Sequence, residues 1–390
     1  MNWFVTADGK VSFPVVGTYD TRQPADTRFY INHQKIMWND FSKQPPRSVC
    51  SDSCVPGFRK AFRSGQPACC YDCIPCAEGK IANESDSIDC LTCPLEEWSN
   101  ERKDKCIPRN LEFLSYDDSL GAALTFIGII CAFLTSVIIT IFAMFHDSPV
   151  VKANNQNISY LLLTGLVFCF LCTLMFIGTP NAVTCRLRQV LFGIAFVFSL
   201  SCVLAKTIVV VVAFNATKPN SKLRSWVGPQ VSYTIVLLCT FVQVVICMTW
   251  AVYLSPFLER NYKVRSGLII IECNEGSIVA FWSMMGYMGL LACVCFIVAF
   301  LSRNLPSSFN EAKFITFSML AFVSVWLAFI PAYLTAKGKY VVAVEVFGII
   351  VSSSGLLGCI FFPKCYIILL RPDINTKEYL LGKDHSVTRK

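Results

Sequence analysis

Nine cysteines crowd into 57 residues, Cys50 to Cys106, and seven long apolar stretches follow them. Any fold has to satisfy both halves of that order. The cysteines run Cys50-x3-Cys54, Cys69-Cys70-x2-Cys73-x2-Cys76, Cys90-x2-Cys93 and Cys106. The segment around them is rich in Gly, Pro, Ser and charge, and too poor in aliphatics to close a core unaided. Small domains of that kind are stapled by disulfides or by metal. Beside a membrane bundle a disulfide framework faces the oxidising side, so the order predicts an extracellular module mounted on a polytopic membrane protein.

The apolar stretches run over 120–145, 158–177, 190–214, 227–254, 278–301, 314–334 and 340–370. Each is long enough to cross a bilayer, because about 20 helical residues cover a hydrocarbon core about 30 Å thick. The expected fold class is an all-α seven-transmembrane helix bundle preceded by a small disulfide-rich β module. Composition agrees: 54% of the chain is hydrophobic and only 15% charged, against about 25% charged in soluble domains. The net charge of +8 is scattered over loops and tail, with no basic run to suggest a nucleic-acid partner. Lys and Arg divide almost evenly between the two sets of loops, so the positive-inside rule does not orient the bundle. The cysteine module does: with the head outside, seven spans put the tail in the cytoplasm.

Before the module, residues 1–46 alternate apolar and polar positions around Gly9 and Gly17 and read as short strands and turns. The segment 107–119 reads as a connector to the membrane. Met1 leads into polar residues without a signal peptide, so the sequence reads as beginning inside a longer protein. An odd cysteine count in such a module calls for a partner elsewhere. Of the twelve cysteines beyond Cys106, ten sit inside apolar spans as small buried hydrophobes, while Cys185 and Cys273 fall in extracellular loops.

Zinc is the rival for the cysteine module, since three C-x2-C steps resemble ligand pairs. The vicinal Cys69-Cys70, the odd count, the adjacent bundle and the lack of any His between Cys50 and Cys106 favour disulfides. Asn83-Glu84-Ser85 is a glycosylation sequon in the module, whereas the sequons at Asn157 and Asn215 fall on inner loops and should stay bare. No nucleophile–base or metal-hydrolase arrangement appears, and none of the three histidines lies in a span, so the reading is of a non-enzyme without metal or cofactor. Without an internal repeat an inverted-repeat transporter is disfavoured, and the fourth span offers only Gln230 and Gln243 as a polar channel lining.

Several motifs together resemble the class C (family 3) G-protein-coupled receptors. They are Cys69-Cys70-Tyr71-Asp72-Cys73-Ile74-Pro75-Cys76, Pro149-Val150-Val151-Lys152-Ala153, Thr184-Cys185-Arg186-Leu187-Arg188-Gln189, Glu272-Cys273-Asn274-Glu275-Gly276, Phe309-Asn310-Glu311-Ala312-Lys313-Phe314 and Phe361-Phe362-Pro363-Lys364-Cys365-Tyr366. Lys152-Ala153-Asn154-Asn155 and the tail Arg371-Pro372-Asp373-Ile374-Asn375-Thr376-Lys377-Glu378 with Gly382-Lys383 are most similar to vomeronasal type-2 and fish olfactory receptors, with the calcium-sensing receptor next. The resemblance implies four divisions: residues 1–46 as the end of a Venus-flytrap ligand-binding domain, 47–109 as a cysteine-rich domain, 110–370 as the seven-span domain and 371–390 as a cytoplasmic tail. It further implies bridges Cys50–Cys70, Cys54–Cys73, Cys76–Cys90 and Cys93–Cys106, with Cys69 bonded to the flytrap domain and Cys185 bonded to Cys273. Each module bridge closes a loop of about 14–21 residues, worth roughly 3 kcal/mol.

Charges inside the spans carry the switch reading. Lys206 lies well within the third span, where a lone charge costs several kcal/mol and needs a partner or a route to water. A lysine snorkelling to the inner surface is the plain alternative. The resemblance pairs it with Glu311 in a resting-state lock, with Asn154 or Asn155 in the place of an assisting residue. It also puts Glu345 in an allosteric pocket suited to a cationic ligand and makes Trp326 a switch residue. The bets for G-protein contact are Lys222, Arg224, Arg303, Leu305, Pro306, Phe309 and Asn310. The expected function is a chemosensory receptor at the plasma membrane, a dimer, passing an amino-acid-like or pheromone signal to a heterotrimeric G protein. A calcium-sensing-like receptor, a seven-span channel or transporter, and an adhesion protein are the alternatives.

Overall fold

The computed structural model describes residues 1–6, 8–38, 48–153, 155–216, 229–262, 264–303 and 311–371. They form two compact units, Met1–Ile107 and Pro108–Lys390.

In the first unit, Phe4–Val5 pairs with Val11–Ser12 and Gly17–Tyr19 with Phe29–Ile31, both antiparallel. The module itself is built on the hairpin of β1 (Phe58–Phe62) and β2 (Tyr71–Pro75), in register from Phe58↔Pro75 to Phe62↔Tyr71. Among its described residues the buried apolar side chains are only Cys54, Cys76 and Ala82. Sulfur therefore does the work of a core. The bridges are Cys50–Cys69, Cys54–Cys73, Cys76–Cys90 and Cys93–Cys106. The first corrects the expected Cys50–Cys70: Cys69 takes Cys50 and Cys70 is the free thiol. The physical reason is the vicinal pair, whose two sulfurs both lie within 4.8 Å of that of Cys50. Gly57 (φ +92°) is a glycine by necessity, because a Cβ there would overlap the Arg102 carbonyl.

Asp86 holds the module's turns together. It adopts φ +63°, a conformation Asp tolerates better than most residues. Its Oδ1 accepts the Cys54 N–H at 2.8 Å and lies 3.3 Å from Lys60 Nζ. The Cys54 hydrogen bond, then Lys60, hold its carboxyl below the ordinary carboxylate value. A folded pKa depressed in this way contributes stability above the unfolded value, about 3.9, and loses it as pH falls through the folded one. The thermal stability of the oxidised module is thus expected to fall as pH drops below about 4. Asp86→Asn should flatten that slope.

The second unit contains seven helices long and apolar enough to cross a membrane among the described residues. They are α1 (Ser119–Met144), α2 (Gln156–Cys172), α3 (Ala182–Ala216), α4 (Pro229–Tyr253), α5 (Ile278–Ser302), α6 (Glu311–Thr335) and α7 (Lys339–Leu370). Apolar side chains face both ways: Leu162, Leu166, Phe196, Leu200 and Phe361 fill the interior, while Phe126, Phe133, Leu237 and Phe241 point outward. That outward face suits hydrocarbon, not water. Several hydroxyls inside the spans are satisfied locally, as where Thr135 Oγ1 donates to the Cys131 carbonyl at 2.7 Å, whereas those of Thr125, Thr240 and Ser353 find no partner among the described residues. At the module side, Lys339 Nζ meets Asp118 Oδ2 at 2.6 Å and joins the starts of α7 and α1.

α3 begins eight residues before the apolar stretch. Cys185, expected in a loop, lies inside that helix, whose first turns also carry Arg186 and Arg188 ahead of the apolar run. The loop after α4 is a hairpin of β4 (Phe257–Asn261) and β5 (Leu268–Asn274). A further strand, β3 (Asn110–Glu112), runs parallel to β5, with Asn110 opposite Leu268 and Glu112 opposite Ile270. The connector is therefore the edge of a three-stranded sheet.

Candidate functional site

Three features of the seven-helix unit follow one another from the end where α1 and α7 begin toward the end where α3 stops. The outermost is the sheet. Cys273, near the end of β5, is bonded to Cys185 in α3, so one covalent link and one strand ladder connect the residue-110 strand to the third helix. Behind the hairpin a cavity of about 210 Å³ gathers Arg188, Glu259, Glu272, Glu275 and Tyr333. Most of its acids are already engaged. Asn274 Nδ2 donates to Glu259 at 2.6 Å, Asn261 Nδ2 to Glu272 at 3.1 Å, and the Tyr333 hydroxyl to Glu275. Arg188 lies over the Phe176 ring, 5.3 Å from its centroid.

Deeper in, Glu345 on α7 is 6% exposed. Gln189 Nε2 donates to its Oε1 at 3.0 Å, whereas its Oε2 finds no partner among the described residues. It faces a small cavity walled by Phe176, Phe192, Phe281, Trp326 and Phe329. The void beside its open oxygen measures only about 10 Å³, room for about one water molecule among aromatic faces. Trp326 stands between Phe192 (5.8 Å), Phe196 (5.8 Å), Phe322 (6.1 Å) and Phe329 (4.9 Å), measured between ring centroids. Its indole N–H has no acceptor among the described residues. The site is an aromatic box whose polar atoms are incompletely satisfied.

At the inner level Lys206 is 3% exposed, ten residues before the end of α3 and so about 15 Å from it. Its Nζ donates to Ser159 Oγ on α2 at 2.7 Å. That contact binds the third helix to the second. Glu311 opens α6, but its side chain falls outside the described residues, and so does the expected Lys206–Glu311 contact. Asn154 falls outside them as well. Asn155 turns to α4 instead, its Nδ2 lying 3.5 Å from Ser232 Oγ. Of the residues chosen for G-protein contact, Arg303 is described and stacks its guanidinium 3.7 Å from the Phe300 centroid. Lys222, Arg224, Leu305, Pro306, Phe309 and Asn310 lie outside the described residues. In the module Asn83 is exposed.

Sequence reasoning did not assign Ser159, Gln189, Tyr333 or Glu275 a role. Ser159 is the third residue of the sequon that begins at Asn157. The signal that could have found it is spacing: Ser159 is one turn after Asn155 and the first hydroxyl on the inner end of α2.

A disulfide-stapled module followed in the chain by a seven-helix unit with an aromatic box and a buried lysine fits a membrane receptor class. Comparison with known proteins agrees. Residues 114–364 match the family model described as the 7 transmembrane sweet-taste receptor of family 3 G-protein-coupled receptors, and residues 45–99 match the Nine Cysteines Domain of the same family. The chain is 48% identical over 341 residues to mouse vomeronasal type-2 receptor 26, which covers 87% of this chain and 40% of the relative. It is 46% identical over 379 residues to the human extracellular calcium-sensing receptor, covering 97% of this chain and 35% of the relative. Mouse vomeronasal type-2 receptor 116 is 44% identical over 371 residues, 95% of this chain and 43% of the relative. The chain thus spans less than half the length of these relatives. It belongs to family 3, the class C G-protein-coupled receptors. That family is one of multi-pass plasma-membrane receptors and not of enzymes, with the cysteine-rich module on the extracellular side.

Proposed function

We propose that this chain is the transmitting part of a chemosensory class C receptor, which turns closure of an extracellular ligand-binding domain into activation of a heterotrimeric G protein. The observation that supports the reading best is the route from stalk to helix. The strand Asn110–Glu112 begins four residues after the last module cysteine, pairs with Leu268–Ile270, and through Cys273–Cys185 reaches α3, which carries Lys206. A stapled stalk delivers displacement along that route, whereas a loose one dissipates it. In this account Lys206, with Ser159 and Glu311, holds the resting state, and the inner residues from Lys222 to Asn310 meet the G protein. Glu345 with Trp326 forms the pocket for a cationic modulator. The ligand is an amino acid or peptide-like molecule, and the receptor works as a dimer. The division into 1–46, 47–109, 110–370 and 371–390 follows from the same reading.

The test of function is nucleotide exchange. Reconstituted in lipid nanodiscs with purified heterotrimeric G protein, the chain carrying Lys206→Ala is expected to accelerate GTP exchange over empty discs and over the parent chain. No acceleration by either chain with any G-protein class would sink the reading. Orientation has a simpler check: glycosidase should remove a glycan from Asn83, and an Asn83→Gln chain should show no shift. Glycans on Asn157 or Asn215 would invert the topology.

A further inference from the structure

At the outer end of the seven-helix unit a cavity of about 370 Å³ opens where three segments meet. Glu112, the last residue of β3, lines it together with Arg265 in the turn of the β4–β5 hairpin and Lys337 between α6 and α7. Ile270 of β5, 2% exposed, lines it too, and both flanks are fixed to that residue. The ladder sets Glu112 opposite Ile270. Gly338 (φ +61°) packs against the same side chain, where a Cβ would come within 3.2 Å of Ile270 Cδ1. One acid and two cations are thus held around a single cavity by contacts to one strand.

The acid is only half used. Arg265 Nη1 lies 3.7 Å from Glu112 Oε1, a long ion pair whose arginine is 59% exposed and which holds little. Glu112 Oε2 is shielded from water and finds no partner among the described residues, a costly state for a carboxylate oxygen. Lys339, the next cation along, is engaged with Asp118. An anion alone would sit against the carboxylate and leave Oε2 without a donor. A cation alone would meet Arg265 and Lys337. A molecule carrying both charges satisfies all three side chains.

We propose that this cavity binds an ammonium–phosphate zwitterion, the head of an outer-leaflet aminophospholipid or its free counterpart, phosphoethanolamine. On binding, Arg265 turns from Glu112 to the phosphate, which Lys337 also holds. The primary ammonium takes the vacated place and donates to both oxygens of Glu112, in charge-assisted hydrogen bonds. The position suits a membrane source. The loop from Ala336 to Gly338 joins α6 to α7 where the apolar runs end, so it stands at the level of lipid heads. Just inward, Ile330 and Leu334 of α6 are exposed and give acyl chains a path along the helix. A head held there ties the strand Asn110–Glu112 to the α6–α7 loop. Lipid content would then bear on the stalk route proposed above, although binding itself does not depend on that reading.

The experiment places the intact chain in nanodiscs of phosphatidylcholine doped with phosphatidylethanolamine or with phosphatidylglycerol. The particles are partly stripped of lipid and weighed by native mass spectrometry. One phosphatidylethanolamine should stay on each chain, enriched about tenfold over the other two, since of the three it alone brings an ammonium N–H to Glu112. Lipids methylated once and twice on the ammonium lose N–H donors in turn and should be retained in decreasing amounts, a comparison that needs no variant. Glu112→Gln should erase the preference. Arg265→Gln combined with Lys337→Gln should release the lipid, with an intact Cys185–Cys273 bridge reporting a folded hairpin. Phosphoethanolamine added to discs of phosphatidylcholine alone separates the sources: a bound adduct assigns the site to the soluble form as well, and its absence beside retained phosphatidylethanolamine assigns it to the membrane. Equal retention of the three lipids overturns the proposal, and so does a preference for phosphatidylglycerol. A flat methylation series, or a preference that survives in Glu112→Gln, overturns it as well.

Discussion

Replacing Cys273 or Cys185 by Ser is expected to lower the thermal midpoint of the seven-helix unit by roughly 10 °C or more. The bridge joins residues 88 apart. On the chain-entropy model a closed loop of that size is worth about 4–5 kcal/mol, more than the roughly 3 kcal/mol of each module bridge. In a unit of this size each kcal/mol corresponds to about 2–4 °C. The effect is not confined to stability, since the same bond is the covalent step between β5 and α3. Scanning fluorimetry on parent, single and double variants measures it, and the double variant should equal either single one, because both remove the same bond. A midpoint within a degree or two of the parent would mean that β5 and α3 are held together by packing alone.

The second large effect concerns the resting state. Ser159→Ala should raise ligand-independent GTP exchange, because it takes a hydrogen-bond partner from a buried ammonium. Leaving a buried polar group short of a partner costs about 1–3 kcal/mol. If that cost falls on the resting state alone, the equilibrium moves by roughly 5–150-fold toward the active one. Lys206→Ala should act in the same direction, and Ser159→Thr, which keeps the hydroxyl, should stay quiet. Glu311→Ala extends the test to α6, and exchanging the charges of Lys206 and Glu311 should restore part of the quiet state if the two act as a unit. Basal exchange unchanged in Ser159→Ala and Lys206→Ala, at equal surface density, would reduce Lys206 to a snorkelling lysine.

The spans were legible because apolar runs of some 20 residues have one physical use. Their ends were not. Hydropathy marks where hydrocarbon begins, and α3 continues outward for two turns beyond it, carrying Cys185 and Arg188 with it. The strand Asn110–Glu112 left no local trace, since three residues show no usable period and their partner lies over 150 positions away. The run Ile269–Ile271 is β-branched, so its strand character, though not its pairing, could have been inferred from composition. Buried charges announced themselves: Lys206 and Glu345 stood out as ionisable groups in apolar stretches. Their partners, Ser159 and Gln189, are residues that occur in any helix, so only geometry distinguishes them. Pairing of Cys50 was underdetermined for a similar reason, as adjacent sulfurs are equivalent to any argument from spacing.

The central claim is that movement of the stalk reaches the helices through the strand ladder. It is tested by joining this chain to the extracellular ligand-binding part of the calcium-sensing receptor and measuring calcium-dependent GTP exchange in cells. In one version Asn110 and Leu111 are both replaced by Pro. Successive strand residues donate to opposite sides, so one of the two substitutions removes a ladder hydrogen bond whichever residue donates to β5. The account predicts that the intact chimera responds to calcium and that the Pro-Pro version, at the same surface density, loses the response while keeping its Cys185–Cys273 bridge. An undiminished response in the Pro-Pro version, or silence in a well-expressed intact chimera, would contradict it.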